Sequence, residues 1–239
     1  MIKDSVQKQK AVRYCVAHGY VPYMECLVRF SGDTSDAISD ITDVDVFGIR
    51  PAGEMPTRRL VFACKTLAKT SGVNRALWAA GLLRLIVADE AFVILLKAAP
   101  QGHRLAASKI GVHLFSEKLF DQYAKASSTD YVDQITYLDN LLAWDTLWDI
   151  RTKFPRLVVL VEYLTSEAAL EQNPASGFRS LLSRLKQTEG ELDVSKPEHR
   201  MLYGIVVSQS ITFLAGVVRE FNTLFDPEMK QDAFQKSLR

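Results

Sequence analysis

The sequence predicts an α/β fold, with a mixed sheet flanked by helices, followed by an all-α C-terminal region. In residues 1–125, short segments with alternating apolar and polar residues are interleaved with segments of helical period. In residues 126–239 the strand signal fades, and Pro155, Pro174 and Pro197 divide long apolar segments of helical period. We therefore expect an α/β domain over 1–125 and a helical domain over 126–239 that packs on it.

The first half is predicted to open with a helix over Ser5–His18, ended by Gly19, because glycine readily adopts the left-handed conformation past a helix end. A polar loop is expected over residues 31–40. Short connections favour an antiparallel meander of three strands, over residues 21–30, 41–49 and 59–66.

The second part of this half alternates helix and strand. Ser71 can cap a helix that runs to Val87, and the apolar run Ala91–Lys97 is typical of a buried strand after a crossover helix. A helix over 103–110, a strand over 112–115 and a helix starting after Ser116 complete the order α-β-β-β-α-β-α-β-α.

The helical half is expected to hold helices over residues 131–152, 156–170, 175–188 and 197–223. The segment 201–218 has no charged residue, so its length approaches that of a membrane span. It contains Ser208, Gln209, Ser210 and Thr212, and we interpret it as a buried core helix and expect no membrane partner.

Composition is that of a soluble globular protein, with 48% hydrophobic and 24% charged residues. The net charge of +1 conceals an asymmetry, because residues 1–125 carry +5 and residues 126–239 carry −4. Cys15, Cys26 and Cys64 have neither metal-ligand nor disulfide spacing, and no signal peptide opens the chain, so we predict a cytoplasmic protein. P-loop, GxGxxG and GxSxG motifs are absent from the sequence, which removes the usual markers of nucleotide hydrolysis, dinucleotide redox chemistry and serine hydrolysis.

The strand alternation places charged side chains together. Asp43 and Asp45 share a face of the second strand, Lys65 lies on the third strand, and Glu25 lies on the polar face of the first. The alternative for Glu25 is a simple ion pair with a cation on a neighbouring strand. A metal-dependent phosphodiesterase needs carboxylates that hold Mg²⁺ and a lysine that stabilises developing negative charge.

These segments resemble the PD-(D/E)xK nuclease superfamily. The run ITDVDVFGI, a turn and RRLVFACKT are similar to its strand with an acid followed by a strand with (D/E)-x-K, and residues 90–119 are similar to the end of Mrr-type restriction endonuclease domains. The resemblance covers about half the chain. It implies a restriction endonuclease-like fold, catalytic residues Asp45 and Lys65, a metal site at Asp45, Glu25 and Asp43, Mg²⁺ or Mn²⁺ as cofactor, and nucleic acid, in particular DNA, as partner.

One position departs from the family pattern, because Ala63 stands where active members have Asp or Glu. Either Glu25 or Asp43 takes over as the second acid, or the site is inactive and the fold serves binding or assembly in a larger complex. We expect cleavage that is weak or absent, and a protein partner would bind through the helical region. A membrane-associated protein anchored by 201–218 is the third and weakest hypothesis.

Overall fold

The structure is a computed structural model that describes residues 3–31, 38–53, 55–65, 71–132, 141–224 and 236. It is an α/β fold with a mixed five-stranded sheet flanked by helices and an all-α C-terminal region. The α/β part contains α1 (Ser5–Ala17), β1 (Val21–Ser31), β2 (Ile38–Arg50), β3 (Arg58–Lys65), α2 (Gly72–Leu85), β4 (Glu90–Leu95), α3 (Gln101–Lys109), β5 (Val112–Ser116) and α4 (Glu117–Ser127).

The sheet has the order β1-β2-β3-β4-β5. Strands β1, β2 and β3 pair antiparallel, which confirms the predicted meander, and β3, β4 and β5 pair parallel through the crossover helices α2 and α3. The loop predicted over 31–40 is shorter than expected, because Ser39 and Asp40 pair with Phe30 and Arg29 and extend β2. Residues 32–37 of that loop lie outside the described residues.

Each face of the sheet covers its own apolar core. The first core lies under α1 and α4, extends into the helical region and includes Tyr14, Phe62, Phe120, Leu147 and Leu202. The second core lies under α2 and α3 and includes Cys26, Val44, Ala63, Ala79 and Val93. Since the first core combines residues from both halves of the chain, the helical region packs on the α/β part as expected.

Strands β1 and β2 both interrupt their side-chain alternation at the same level. Met24 and Val46 belong to the first core, whereas Cys26 and Val44, two residues away, belong to the second. Met24 pairs with Val46 and Cys26 with Val44, so Glu25 lies opposite Asp45, and Glu25 has a left-handed backbone with φ of 52°. A left-handed non-glycine residue inside a strand is strained, and such strain is concentrated at functional sites.

The helical region contains α5 (Leu141–Lys153), a 3-10 turn (Pro155–Leu157), α6 (Val158–Glu162), a π-helical turn (Tyr163–Glu167), α7 (Pro174–Gln187) and α8 (Pro197–Leu224). The helix predicted to start at 131 is described only from Leu141, because Tyr131 and Val132 are not helical and residues 133–140 lie outside the described part.

Helix α8 is buried along one face only. Its inner face includes Leu202, Gln209 and Phe213, whereas an exposed apolar stripe follows the helix on the other side: Val207, Ile211, Leu214, Val218 and Phe221. By length and composition alone α8 could cross a membrane, and 33% of its most apolar window is buried against the rest of the protein. The prediction of a buried core helix is therefore right for one face and wrong for the other.

Candidate functional site

Asp45 lies where β2 separates from β3. The described β2–β3 pairs begin at Val46 and Phe62. Beyond that pair, the backbone N–H of Cys64 donates to the side chain of Asp45, whose Oδ2 atom lies 2.8 Å from the Cys64 nitrogen. The side chain is 3% exposed. A buried carboxylate at the point where two strands diverge is held rigidly, because its bond to the backbone replaces one rung of the sheet.

Lys65 lies beside Asp45, as predicted. Its Nζ atom is 3.7 Å from Asp45 Oδ1 and 3.7 Å from Asp4 Oδ2, at the start of α1. The Lys65 side chain remains 27% exposed, so part of it contacts solvent while its ammonium faces the buried carboxylate. The pairing of an acid on β2 with a lysine at the end of β3 is the arrangement that the alternation of the two strands predicts.

Arg75 of α2 reaches the same carboxylate. Its Nη2 atom is 3.4 Å from Asp45 Oδ2, and its guanidinium lies over the Trp78 ring at 3.7 Å from the ring centre. Stacking on an indole stabilises the guanidinium in this position. Burial lowers the pKa of Arg75, which the charge of Asp45 partly offsets.

Lys8 of α1 is the third cation at Asp45. Its Nζ atom lies 3.3 Å from Asp45 Oδ1 and forms a close ion pair with Glu25 Oε1. The Lys8 side chain is 3% exposed, and burial lowers the pKa of its ammonium. Glu25 and Asp45 outweigh burial and raise this pKa above its ordinary value. Burial raises the pKa of Glu25 despite the opposing effect of Lys8, and Asp45 and Asp43 raise it further. Lys8 is therefore fully charged at neutral pH.

The three acids predicted to bind a metal do converge. Glu25, Asp43 and Asp45 each offer a carboxylate oxygen, and these oxygens lie within 4.8 Å of one another. The cations around them do not fit a divalent ion, however. Lys8 contacts two of the three carboxylates, and Lys65 and Arg75 lie within ion-pair distance of Asp45. An ion placed among these oxygens would have to displace Lys8 and face two further positive charges.

Ala63 lies in a different environment from the other site residues. It is completely buried in the second core, whereas Lys65, two residues later on β3, is partly exposed. A carboxylate at position 63 would therefore be attached to backbone that is buried in an apolar core, where an unpaired charge is costly. The packing around Ala63 suits the small apolar side chain that the sequence has.

A groove of about 460 Å³ adjoins the exposed side of the site. Its wall includes Glu25, Asp40 and Asp43 together with Trp148, over whose ring the Arg151 guanidinium lies at 4.3 Å. Of the two tryptophans of α5, Trp144 is buried, whereas Trp148 lines the groove. Three acids give the wall of this groove a negative charge.

Sequence reasoning missed Lys8 and Arg75. Lys8 looks like an ordinary solvated lysine of a polar helix, but Ala11, Val12 and Cys15 anchor α1 on the sheet, and Lys8 lies one turn before them on the same face. That spacing was a usable signal. Arg75 had a weaker signal, because its approach to Asp45 depends on how α2 crosses the sheet. Among the residues that the structure describes, Glu25 pairs with Lys8 of α1 and with no cation on a neighbouring strand.

Comparison with known proteins leaves the function open. No protein-family model matches the chain, and no curated protein matches it. The crystal structure of a protein of unknown function, AF1548, is similar over 88% of this chain and 98% of that chain, with 12% sequence identity and a TM-score of 0.37. A likeness at this level carries no argument about activity.

Proposed function

We propose that the protein binds nucleic acid through a nuclease-like α/β domain and cleaves it weakly or not at all. The observation that carries the proposal is the pairing of Asp45 on β2 with Lys65 at the end of β3, at 3.7 Å. This pair matches the acid and the lysine of the PD-(D/E)xK pattern that the sequence resembles. The excess positive charge of residues 1–125 also favours a polyanionic partner.

Binding would depend on the cations that remain accessible. Lys65 is 27% exposed at the rim of the site, and Arg75 presents a fixed guanidinium beside it. A phosphate group near Lys65 would accept hydrogen bonds from the ammonium and exploit its charge. DNA is the first choice of partner, because the family that the sequence resembles includes restriction endonucleases.

Weak or absent cleavage follows from two features. Ala63 offers no ligand where the family pattern has an acid, and the carboxylates that remain are already paired with Lys8, Lys65 and Arg75. A carboxylate held by cations attracts a metal ion less strongly, because each positive charge opposes the ion. A cytoplasmic location is part of the proposal and agrees with three free cysteines.

The test measures binding and cleavage separately. Fluorescence anisotropy with labelled duplex DNA, single-stranded DNA and RNA should show salt-dependent binding. Lys65→Ala should weaken it about 3- to 10-fold and reduce the salt slope by about one. Lys186→Ala, an exposed lysine of α7, is the matched control and should leave binding unchanged. Assays with Mg²⁺ and Mn²⁺ should show little cleavage, and Asp45→Ala should abolish any that occurs.

Two results would overturn the proposal. The first is an absence of binding to all three nucleic acids at low salt. The second is robust cleavage that survives both Asp45→Ala and Lys65→Ala, because the chemistry would then lie elsewhere in the chain.

The second candidate function is assembly with a protein partner, and the exposed stripe of α8 favours it. Val207, Ile211, Leu214, Val218 and Phe221 follow one another at alternating intervals of four and three residues, which is the spacing of a coiled-coil seam. Light scattering on the same samples separates the candidates. Self-association through the stripe without nucleic-acid binding would give a mass above that of the monomer and no change in anisotropy.

A further inference from the structure

We propose that the ammonium of Lys8 takes the place of a divalent metal ion between Glu25 and Asp45, so that these carboxylates form a metal-independent site. The inference uses the same residues as the proposed function but concerns metal alone. It can hold or fail whether or not nucleic acid binds.

The geometry of the carboxylates is the first support. Glu25 and Asp45 lie opposite each other on β1 and β2, where both strands interrupt their alternation, and their oxygens are close enough to share one cation. Lys8 Nζ contacts both, since it lies 3.3 Å from Asp45 Oδ1 and pairs closely with Glu25 Oε1. The shared cation of this structure is therefore a side chain.

The balance of charge is the second support. Glu25, Asp45 and Asp4, which faces Lys65, together carry three negative charges, and Lys8, Lys65 and Arg75 supply three positive charges within ion-pair distance. Asp43 is exposed and adds a negative charge at the solvent side. With Lys8 in place the three acids are matched by three cations, so a divalent ion would add uncompensated positive charge. Removal of Lys8 would leave one negative charge without a partner and open to the ion.

The burial of Lys8 is the third support. A charged lysine that is 3% exposed is costly unless its hydrogen bonds are satisfied by charged partners. Its helix neighbours Ala11 and Val12 pack in the first core, so the face of α1 that carries Lys8 is turned toward the sheet. Lys8 is thus a fixed component of the site, and it differs from a mobile surface lysine that a metal ion could displace.

The experiment compares Mn²⁺ binding to the full chain without nucleic acid, by isothermal titration calorimetry and by the electron paramagnetic resonance signal of free Mn²⁺. Wild-type protein should show no saturable site at millimolar Mn²⁺. Lys8→Met keeps an unbranched side chain and removes the charge, and it should bind one Mn²⁺ at least about tenfold more tightly than wild type. Adding Glu25→Gln to Lys8→Met should remove the new site.

Lys10→Met is the matched control, because Lys10 lies on the same helix and pairs with Asp121 away from the site. It should gain no Mn²⁺ site. If Lys8→Met folds poorly, its melting temperature should still rise with Mn²⁺ while that of wild type stays constant, because a bound metal stabilises the folded state.

The proposal is overturned by either of two results. One is saturable Mn²⁺ binding by wild-type protein that Glu25→Gln removes. The other is a Lys8→Met protein that neither binds Mn²⁺ nor gains stability from it. Loss of nucleic-acid binding alone would leave this inference unaffected and would count against the proposed function.

Discussion

Replacement of Asp45 by asparagine should change the free energy of unfolding, and the sign of that change distinguishes a site of mutually repelling acids from a site in which cations neutralise the acid. In a cluster dominated by repulsion between acids, removal of one negative charge stabilises the fold. Asp45 is 3% exposed and lies within 4 Å of Lys8, Lys65 and Arg75, so its removal leaves positive charges with fewer partners. We therefore expect Asp45→Asn to destabilise the protein.

The expected magnitude follows from the burial of each partner. Breaking a buried ion pair by removing one member costs about 3–5 kcal/mol. Lys8 would keep Glu25, and Lys65 and Arg75 are 27% and 16% exposed, so water can compensate part of the loss. The value should lie near the lower end, at about 3 kcal/mol, which for a protein of this size lowers the melting temperature by about 6–12 °C.

The assay is urea unfolding followed by tryptophan fluorescence and far-ultraviolet circular dichroism. The unfolding midpoint should fall while the denaturant dependence stays the same. Asp40→Asn is the control, because Asp40 is 63% exposed and pairs with Arg29 at the surface, and it should change stability by no more than about 1 kcal/mol. An Asp45→Asn protein as stable as wild type, or more stable, would refute the reasoning that three cations neutralise this carboxylate.

Two further predictions concern other buried groups. Gln209 is fully buried, accepts a hydrogen bond from the Tyr23 hydroxyl and donates one to the Ala168 carbonyl at 3.2 Å. Gln209→Leu would leave both of these groups unsatisfied, so it should lower the free energy of unfolding in urea by about 2–4 kcal/mol. A loss below about 1 kcal/mol would contradict this role. Burial raises the pKa of the Cys26 thiol to about 12, and it raises the pKa values of the Cys15 and Cys64 thiols above their ordinary range. We therefore expect none of the three thiols to react with a disulfide reagent at pH 8 until denaturant is added. Rapid modification of the native protein would show that a cysteine is accessible.

The sequence predicted the sheet better than the site. Period-two alternation located all three antiparallel strands, although β3 is buried on both faces, with Phe62 in the first core and Ala63 in the second. The same alternation brought Asp45 and Lys65 together. It could not predict the break at Glu25, since a left-handed backbone at a non-glycine residue depends on contacts from elsewhere in the chain.

The cations were harder to predict because they come from helices. Lys8 and Arg75 reach Asp45 only through the positions of α1 and α2 on the sheet, which the strand pattern does not fix. The exposed face of α8 was missed for a related reason. Its sequence is apolar on both sides, so its hydropathy does not indicate which side the rest of the protein covers.

The hydrogen bond between Tyr23 and Gln209 has a consequence for how the chain acquires its fold during synthesis. The two residues are 186 positions apart, so the first strand leaves the ribosome long before its buried hydroxyl has a partner. The first core likewise waits for Leu147 and Leu202 before it can close over Tyr14 and Phe62. We expect the nascent α/β part to stay loosely packed until α8 has been translated, and folding to end in one late cooperative step.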